Sequence, residues 1–281
     1  MYTQRRMCWN VIISTWGVAA SPRGCSSKLN MHTFHFLGFL GSVDDSVTIF
    51  LNNFARRSWT ADYLICSVLD TTIFKGGVVL SAYWWAWFRA PENSTEPGSR
   101  NPRDILLYTL LMCIPAVLLA RLMALFLPFR ARPLHNPALH LKIAYTLNPN
   151  LLESWSSFPS DHSVLFFALA TGLFLAWRRM GWFMYLYTIV FIAFPRVYLG
   201  YHYPSDVLAG ALLGVAAVST VRIAALRRVI NWPAQRLMEY SPGLFYAGLF
   251  QLSFQTALLY DPLRSLASAA HSISIILLRR L

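Results

Sequence analysis

Residues 105–127 read ILLYTLLMCIPAVLLARLMALFL, and this stretch decides the fold class. Its single charge is Arg121. A bilayer core about 30 Å thick needs roughly 20 predominantly apolar residues in a helix to cross it. Only a helix satisfies its own backbone within one such segment. Comparable stretches lie at 63–88, 163–178, 182–199, 205–226 and 243–260, so the chain is read as all-α, a polytopic bundle of about six transmembrane helices. Tryptophans mark the interfaces: Trp84, Trp85 and Trp87 close the first span, and Trp177 and Trp182 flank the third and fourth.

Composition agrees. Of 281 residues, 56% are hydrophobic and only 13% charged, against about a quarter charged in a soluble domain. The net charge of +12 is mostly arginine. On an apolar chain that charge points to a bilayer surface and an anionic substrate rather than to nucleic acid. The four cysteines, at 8, 25, 66 and 113, have no paired or metal-like spacing.

Residues 1–30 carry Arg5 and Arg6 before a modest apolar stretch ending at Ala20. They read either as a signal-like segment or as an extension ahead of a true start at Met31. Residues 31–260 form the expected membrane domain. Residues 261–281 are a tail, possible as an amphipathic surface helix. With six spans, both termini share a side with the 129–161 and 200–205 loops. Arg89, Arg100, Arg103, Arg178, Arg179, Arg227, Arg228 and Arg236 fall on the other side. Short, basic loops are usually cytoplasmic, which places the 129–161 side outside the cytoplasm.

Three clusters map to that outer face: Pro128 to Pro133, Ser157 to His162, and Arg196 to Asp206. Ser160 precedes an apolar helix and can cap it. Free N–H groups at a helix start, with arginines nearby, suit a phosphate group. Arg132 and Arg196 can each hold phosphate oxygens through paired donors. Pro204 suits the first turn of the next helix and leaves His202 just ahead of it. Asp206, within that turn, is expected to accept a proton from one imidazole nitrogen. The other nitrogen then faces phosphorus as a nucleophile. His162 is the candidate acid for the leaving oxygen and base for water. This chemistry calls for no metal and no cofactor.

These residues resemble the type 2 phosphatidic acid phosphatase superfamily, whose pattern is K-x6-R-P, P-S-G-H and S-R-x5-H-x3-D. Arg132-Pro133, Pro159-Ser160-Asp161-His162, and Arg196 with His202 and Asp206 match it in order and spacing over roughly residues 50 to 260. The resemblance implies His202, His162 and Asp206 as catalytic residues, with Arg132, Ser160 and Arg196 holding phosphate. Leu125 stands where the pattern has lysine. Arg130 or Arg121 can take its role, and Arg130 is preferred because it lies beside Arg132. Asp161 replaces the glycine, with its backbone N–H still open to phosphate, and Pro195 replaces the serine.

The string Ser157 to His162 looks like the bacterial branch that hydrolyses undecaprenyl pyrophosphate. That implies an isoprenyl pyrophosphate substrate and a bacterial plasma membrane, with the site facing the periplasm or exterior. Phosphatidic acid phosphatase, phosphatidylglycerol phosphate phosphatase and lipid phosphotransferase are the alternative enzymes. A transporter or a non-catalytic lipid-binding protein is the alternative class, and no inverted repeat supports it. His135, His140 and Glu153 read as solvated loop residues. Asp70 and Lys75 read as structural charges in the first span.

Overall fold

The computed structural model describes residues 31–90, 101–145, 147 and 155–260. The expectations for residues 1–30 and 261–281, and for Glu153, lie outside the described residues. Among the described residues the α-helices follow one another as α1 (Met31–Asn52), α2 (Trp59–Asp70), α3 (Val78–Arg89), α4 (Pro102–Phe126), α5 (Asp161–Ala176), α6 (Arg178–Tyr187), α7 (Phe194–Tyr198), α8 (Pro204–Ser219), α9 (Ala224–Tyr240) and α10 (Pro242–Ala257).

The opening stretch becomes α4. Asn101 caps it by accepting from the Arg103 N–H at 2.9 Å, and Pro102 occupies its first turn. Its 25 residues span about 37 Å at 1.5 Å each, enough to cross a bilayer. By length and composition three helical stretches can cross: Pro102–Phe126, Arg178–Tyr198 and Pro204–Arg222.

Three of the six expected spans differ from a simple crossing; one of them, 243–260, forms α10, whose 16 residues are too few to be among the crossing stretches. The 63–88 segment is bent by 65° between Trp59–Asp70 and Ile73–Arg89, and the pair counts as a fourth span only if taken together. The break falls at Asp70-Thr71-Thr72, where Thr71 is extended at φ −78° and ψ 117°. Asp and Thr both resist a helix interior, by backbone competition and β-branching respectively. Beyond the break, Gly76 lies flat against α10; a Cβ there would stand 2.5 Å from Ala257. Asp70 and Lys75 therefore sit on either side of a bend.

The third is α5, whose 16 residues reach only about 24 Å. This helix has no need to match the bilayer, because protein encloses it. Val164, Leu165, Phe166, Ala168, Leu169, Ala170 and Leu173 are all at most 1% exposed. It packs most closely on α8 through Gly210 and Gly214. A Cβ at Gly210 would lie 2.5 Å from the Ser160 carbonyl oxygen, and one at Gly214 only 2.2 Å from that of Val164. Small residues four apart let two membrane helices bring their backbones together. That approach sets the start of α5 against the start of α8, where two of the three motif clusters lie.

Asp62 of α2 is fully buried and organises the loop after α4. It accepts from Arg56 N–H and Tyr145 N–H at 3.0 Å each, and from the Tyr198 hydroxyl at 2.7 Å. Three donors compensate the burial of its charge.

Candidate active site

Main-chain hydrogen bonds join the three clusters. Ser157 N–H donates to the Arg130 carbonyl at 2.9 Å, tying the second cluster to the first. Leu134 N–H donates to the Gly200 carbonyl at 2.9 Å, tying the first to the third. Ser160 N–H donates to the Asp206 carbonyl at 3.2 Å, closing the set. Gly200 makes the turn at φ +74°, a conformation that a side chain disfavours.

His202 is 4% exposed. Its Nδ1 lies 2.8 Å from the Ser157 carbonyl, and a carbonyl can only accept, so the proton sits on Nδ1. The lone pair is then on Nε2, which faces Arg132 Nη1 at 3.3 Å. Arg132 is itself oriented by donating to the Tyr201 carbonyl at 2.7 Å and the Trp155 carbonyl at 3.3 Å. Burial, with Arg132 and then Arg196 as positive neighbours, holds the imidazole well below its ordinary value of 6.5. The ring is neutral at physiological pH.

The expected bond from His202 to Asp206 is not formed. Asp206 Oδ2 stands 3.9 Å from Nδ1. Asp206 is fully buried and its oxygens are occupied by the Ser157 hydroxyl, the Tyr203 N–H at 2.8 Å and the Arg130 guanidinium. The Tyr203 N–H bond closes the first turn of α8 as a capping box. The carboxylate therefore touches the same residue, Ser157, whose carbonyl orients the imidazole.

Arg130 also differs from expectation. It pairs with Asp44 at 2.7 Å and with Asp206, donates to the Ser205 hydroxyl at 2.9 Å, and stacks over Tyr203 at 4.1 Å. Two carboxylates hold it in the layer behind His202. Of the two candidate replacements for the lysine, Arg121 is the one that faces the cavity, one helical turn before Leu125 and on the same side of α4.

That cavity is about 630 Å³. Arg121, Arg132, Asp161 and His202 form its polar end, and Leu125, Leu127, Phe129 and Trp155 form its mouth. Leu125 is 76% exposed and Phe129 57%, so the mouth opens toward whatever surrounds the bundle.

Ser160 caps α5 as expected, accepting from Ser163 N–H at 3.4 Å, and is fully buried. Arg196 is 3% exposed and donates to the Ile192 carbonyl at 2.6 Å. Ser160, His162 and Arg196 are not among the cavity-lining residues, although the His162 side chain remains 27% exposed. Asp161 turns its carboxylate back onto its neighbours. It accepts from His162 N–H at 2.8 Å and His162 Nδ1 at 3.0 Å, and from Arg121 at 3.3 Å. A carboxylate at that place repels phosphate, so Asp161 fits the positioning of His162 and Arg121 better than phosphate contact. His135 and His140 are not among the cavity residues.

Sequence reasoning missed Asp44 and the Ser157 carbonyl. The carbonyl carries no side-chain signal. Asp44 had one: Asp44-Asp45 is an acidic pair in an otherwise uncharged segment of α1. Among the described residues no group of three or more His, Cys, Asp or Glu side chains gathers as a metal site would.

The PAP2 superfamily profile matches residues 103–229. The bacitracin transport permease protein BcrC of Bacillus licheniformis is 29% identical over 67% of this chain and 77% of its own. The undecaprenyl-diphosphatase BcrC of Bacillus subtilis is 25% identical over 64% of this chain and 75% of its own. The putative undecaprenyl-diphosphatase YbjG of Escherichia coli is 44% identical over a shorter region, 24% of this chain and 34% of its own. No solved structure matches the chain.

Proposed function

This chain belongs to the PAP2 superfamily, and from that membership and the site geometry we propose that it hydrolyses undecaprenyl pyrophosphate to undecaprenyl phosphate through a phosphohistidine on His202. It is an integral membrane phosphatase. Two Bacillus relatives that align over most of their length, and the name undecaprenyl-diphosphatase carried by one of them, support the substrate class.

The observation that carries the mechanism is the tautomer of His202, proton on Nδ1 toward Ser157 and lone pair on Nε2 toward Arg132. Nε2 forms a bond to the terminal phosphorus as the bond from that phosphorus to the bridging oxygen breaks. His162 gives its proton to the departing lipid monophosphate. In the second step His162 takes a proton from water, the water oxygen bonds to phosphorus, and the N–P bond breaks to release inorganic phosphate. Arg132, Arg196 and the start of α5 under Ser160 favour the charge on the phosphoryl oxygens in both displacements.

Arg121 replaces the missing lysine. It lies about 6 Å back along α4 from Leu125, four residues at 1.5 Å each, at the polar end of the cavity with His202. A diphosphate attacked at its terminal phosphorus by His202 can set its second phosphate against Arg121. The isoprenyl chain then follows Leu125, Leu127 and Phe129 out of the cavity.

The basic connections on the opposite side support a site that faces the periplasm or cell exterior. Phosphate release from a panel of undecaprenyl pyrophosphate, phosphatidic acid and phosphatidylglycerol phosphate tests the reading. Fastest turnover of the first is expected; activity confined to the monophosphates would overturn the substrate assignment.

A further inference from the structure

The residue with the most unexplained investment is Asp44, on a helix outside the matched region. It is 3% exposed in α1, and an ionised carboxylate buried there needs close partners. All of its partners belong to the layer behind His202. Its Oδ1 accepts from the Ser205 N–H at 2.9 Å, and its Oδ2 accepts from the Ser205 hydroxyl and from Arg130 at 2.7 Å. Ser205 is the second residue of α8, and Asp206 is the next.

We propose that Asp44 is a positioning residue of the catalytic site, acting on His202 through Arg130, Asp206 and Ser157. The relay is continuous. Arg130 bridges Asp44 and Asp206; Asp206 accepts from the Ser157 hydroxyl; the Ser157 carbonyl accepts from His202 Nδ1. Arg130 is held over the Tyr203 ring as well, so its guanidinium plane is fixed on a third side. Without the Asp44 charge, Arg130 keeps Asp206 as its carboxylate partner and the start of α8 loses one of the two oxygens that accept from Ser205. Either change moves the Ser157 carbonyl that fixes the imidazole, and misplacement of a catalytic group costs rate more than binding. Helix α1 thereby becomes part of the active site, although none of its described side chains is among the cavity-lining residues.

This inference rests on the reading of His202 as nucleophile. The test is steady-state turnover of undecaprenyl pyrophosphate in detergent by wild type, Asp44→Asn, Arg130→Gln and the double variant. Asp44→Asn keeps the shape and removes the charge. It is expected to lower kcat about tenfold or more while KM stays within about twofold. The double variant is expected to lose less than the product of the single losses, since residues in one hydrogen-bond network couple.

Wild-type kcat in Asp44→Asn overturns the proposal. So do losses that multiply in the double variant, or a kcat that falls only in proportion to the folded fraction. Should Asp44→Asn not yield a monodisperse protein, Ser205→Ala tests the same layer by removing the hydroxyl that Asp44 and Arg130 share while leaving their ion pair: a lower kcat at unchanged KM is expected, and a wild-type kcat overturns the proposal. A wild type that releases no phosphate defeats the functional reading and this one with it. A wild type that turns over, matched by Asp44→Asn, defeats the Asp44 assignment alone.

Discussion

His202 and Asp206 stand one helical turn apart and do not bond to each other: the imidazole proton goes to the Ser157 carbonyl at 2.8 Å, while the carboxylate stays 3.9 Å away and holds the Ser157 hydroxyl. The carboxylate thus orients the histidine through an intervening residue.

A graded result follows for the two positions. Asp206→Asn leaves the carbonyl that selects the tautomer, so it is expected to retain measurable turnover, well above that of His202→Ala. Single-turnover phosphate release compares them. Equal loss in both variants would show that Asp206 contributes directly to the chemistry.

The two candidate replacements for the lysine separate in kinetics. Arg121 faces the cavity, and losing one charge-assisted hydrogen bond is worth about 1.5–3 kcal/mol. Arg121→Ala is therefore expected to raise KM about tenfold or more for the diphosphate. Arg130→Ala, behind the site, is expected to act mainly on kcat. Measuring both constants decides it, and the reverse pattern would restore Arg130 as the phosphate contact.

The pH dependence has a definite sign. Burial and the two arginines disfavour the imidazolium of His202, so its folded value lies below the ordinary 6.5. The neutral nucleophile persists into mildly acidic solution, and its limb in a plot of kcat/KM against pH is expected below 6.5. Removing the charge of Arg132, as in Arg132→Gln, moves that limb upward. The same depression bears on stability. The unfolded chain binds this proton near 6.5, the folded chain only at lower pH. The residue's contribution is therefore whole above 6.5 and lost as the pH falls through the folded value. A wild-type limb above 6.5, with no shift in Arg132→Gln, would contradict the arrangement.

Packing between α5 and α8 gives a stability prediction. A methyl group at Gly214 would meet the Val164 carbonyl at 2.2 Å, and overpacking of this kind costs about 1–3 kcal/mol. Gly214→Ala is expected to lower the melting temperature in detergent. Gly243→Ala, with nothing within 4 Å of its added methyl, is expected to leave it nearly unchanged.

Much of this was legible in the sequence, for identifiable reasons. The span at 105–127 emerged as Pro102–Phe126 because unbroken apolarity and an Asn-Pro start leave few alternatives. Ser160 as the cap of α5 and Asp206 in the first turn of α8 were legible because local signals at helix starts determine where they lie. What escaped was set by contacts across the chain. The bend after Asp70 joins a local break to Gly76 packing on α10. The pairing of Arg130 escaped because proximity to Arg132 says nothing of Asp44, 86 residues away. The role of Ser157 lies in its backbone, where residue identity gives no sign.

Phosphate release from undecaprenyl pyrophosphate by purified wild type and His202→Ala, each in detergent with a chelator present, tests the central claim most directly. The account predicts equal amounts of inorganic phosphate and undecaprenyl phosphate from the wild type, and nothing above background from the variant. A folded His202→Ala protein that turns the substrate over at the wild-type rate would contradict it.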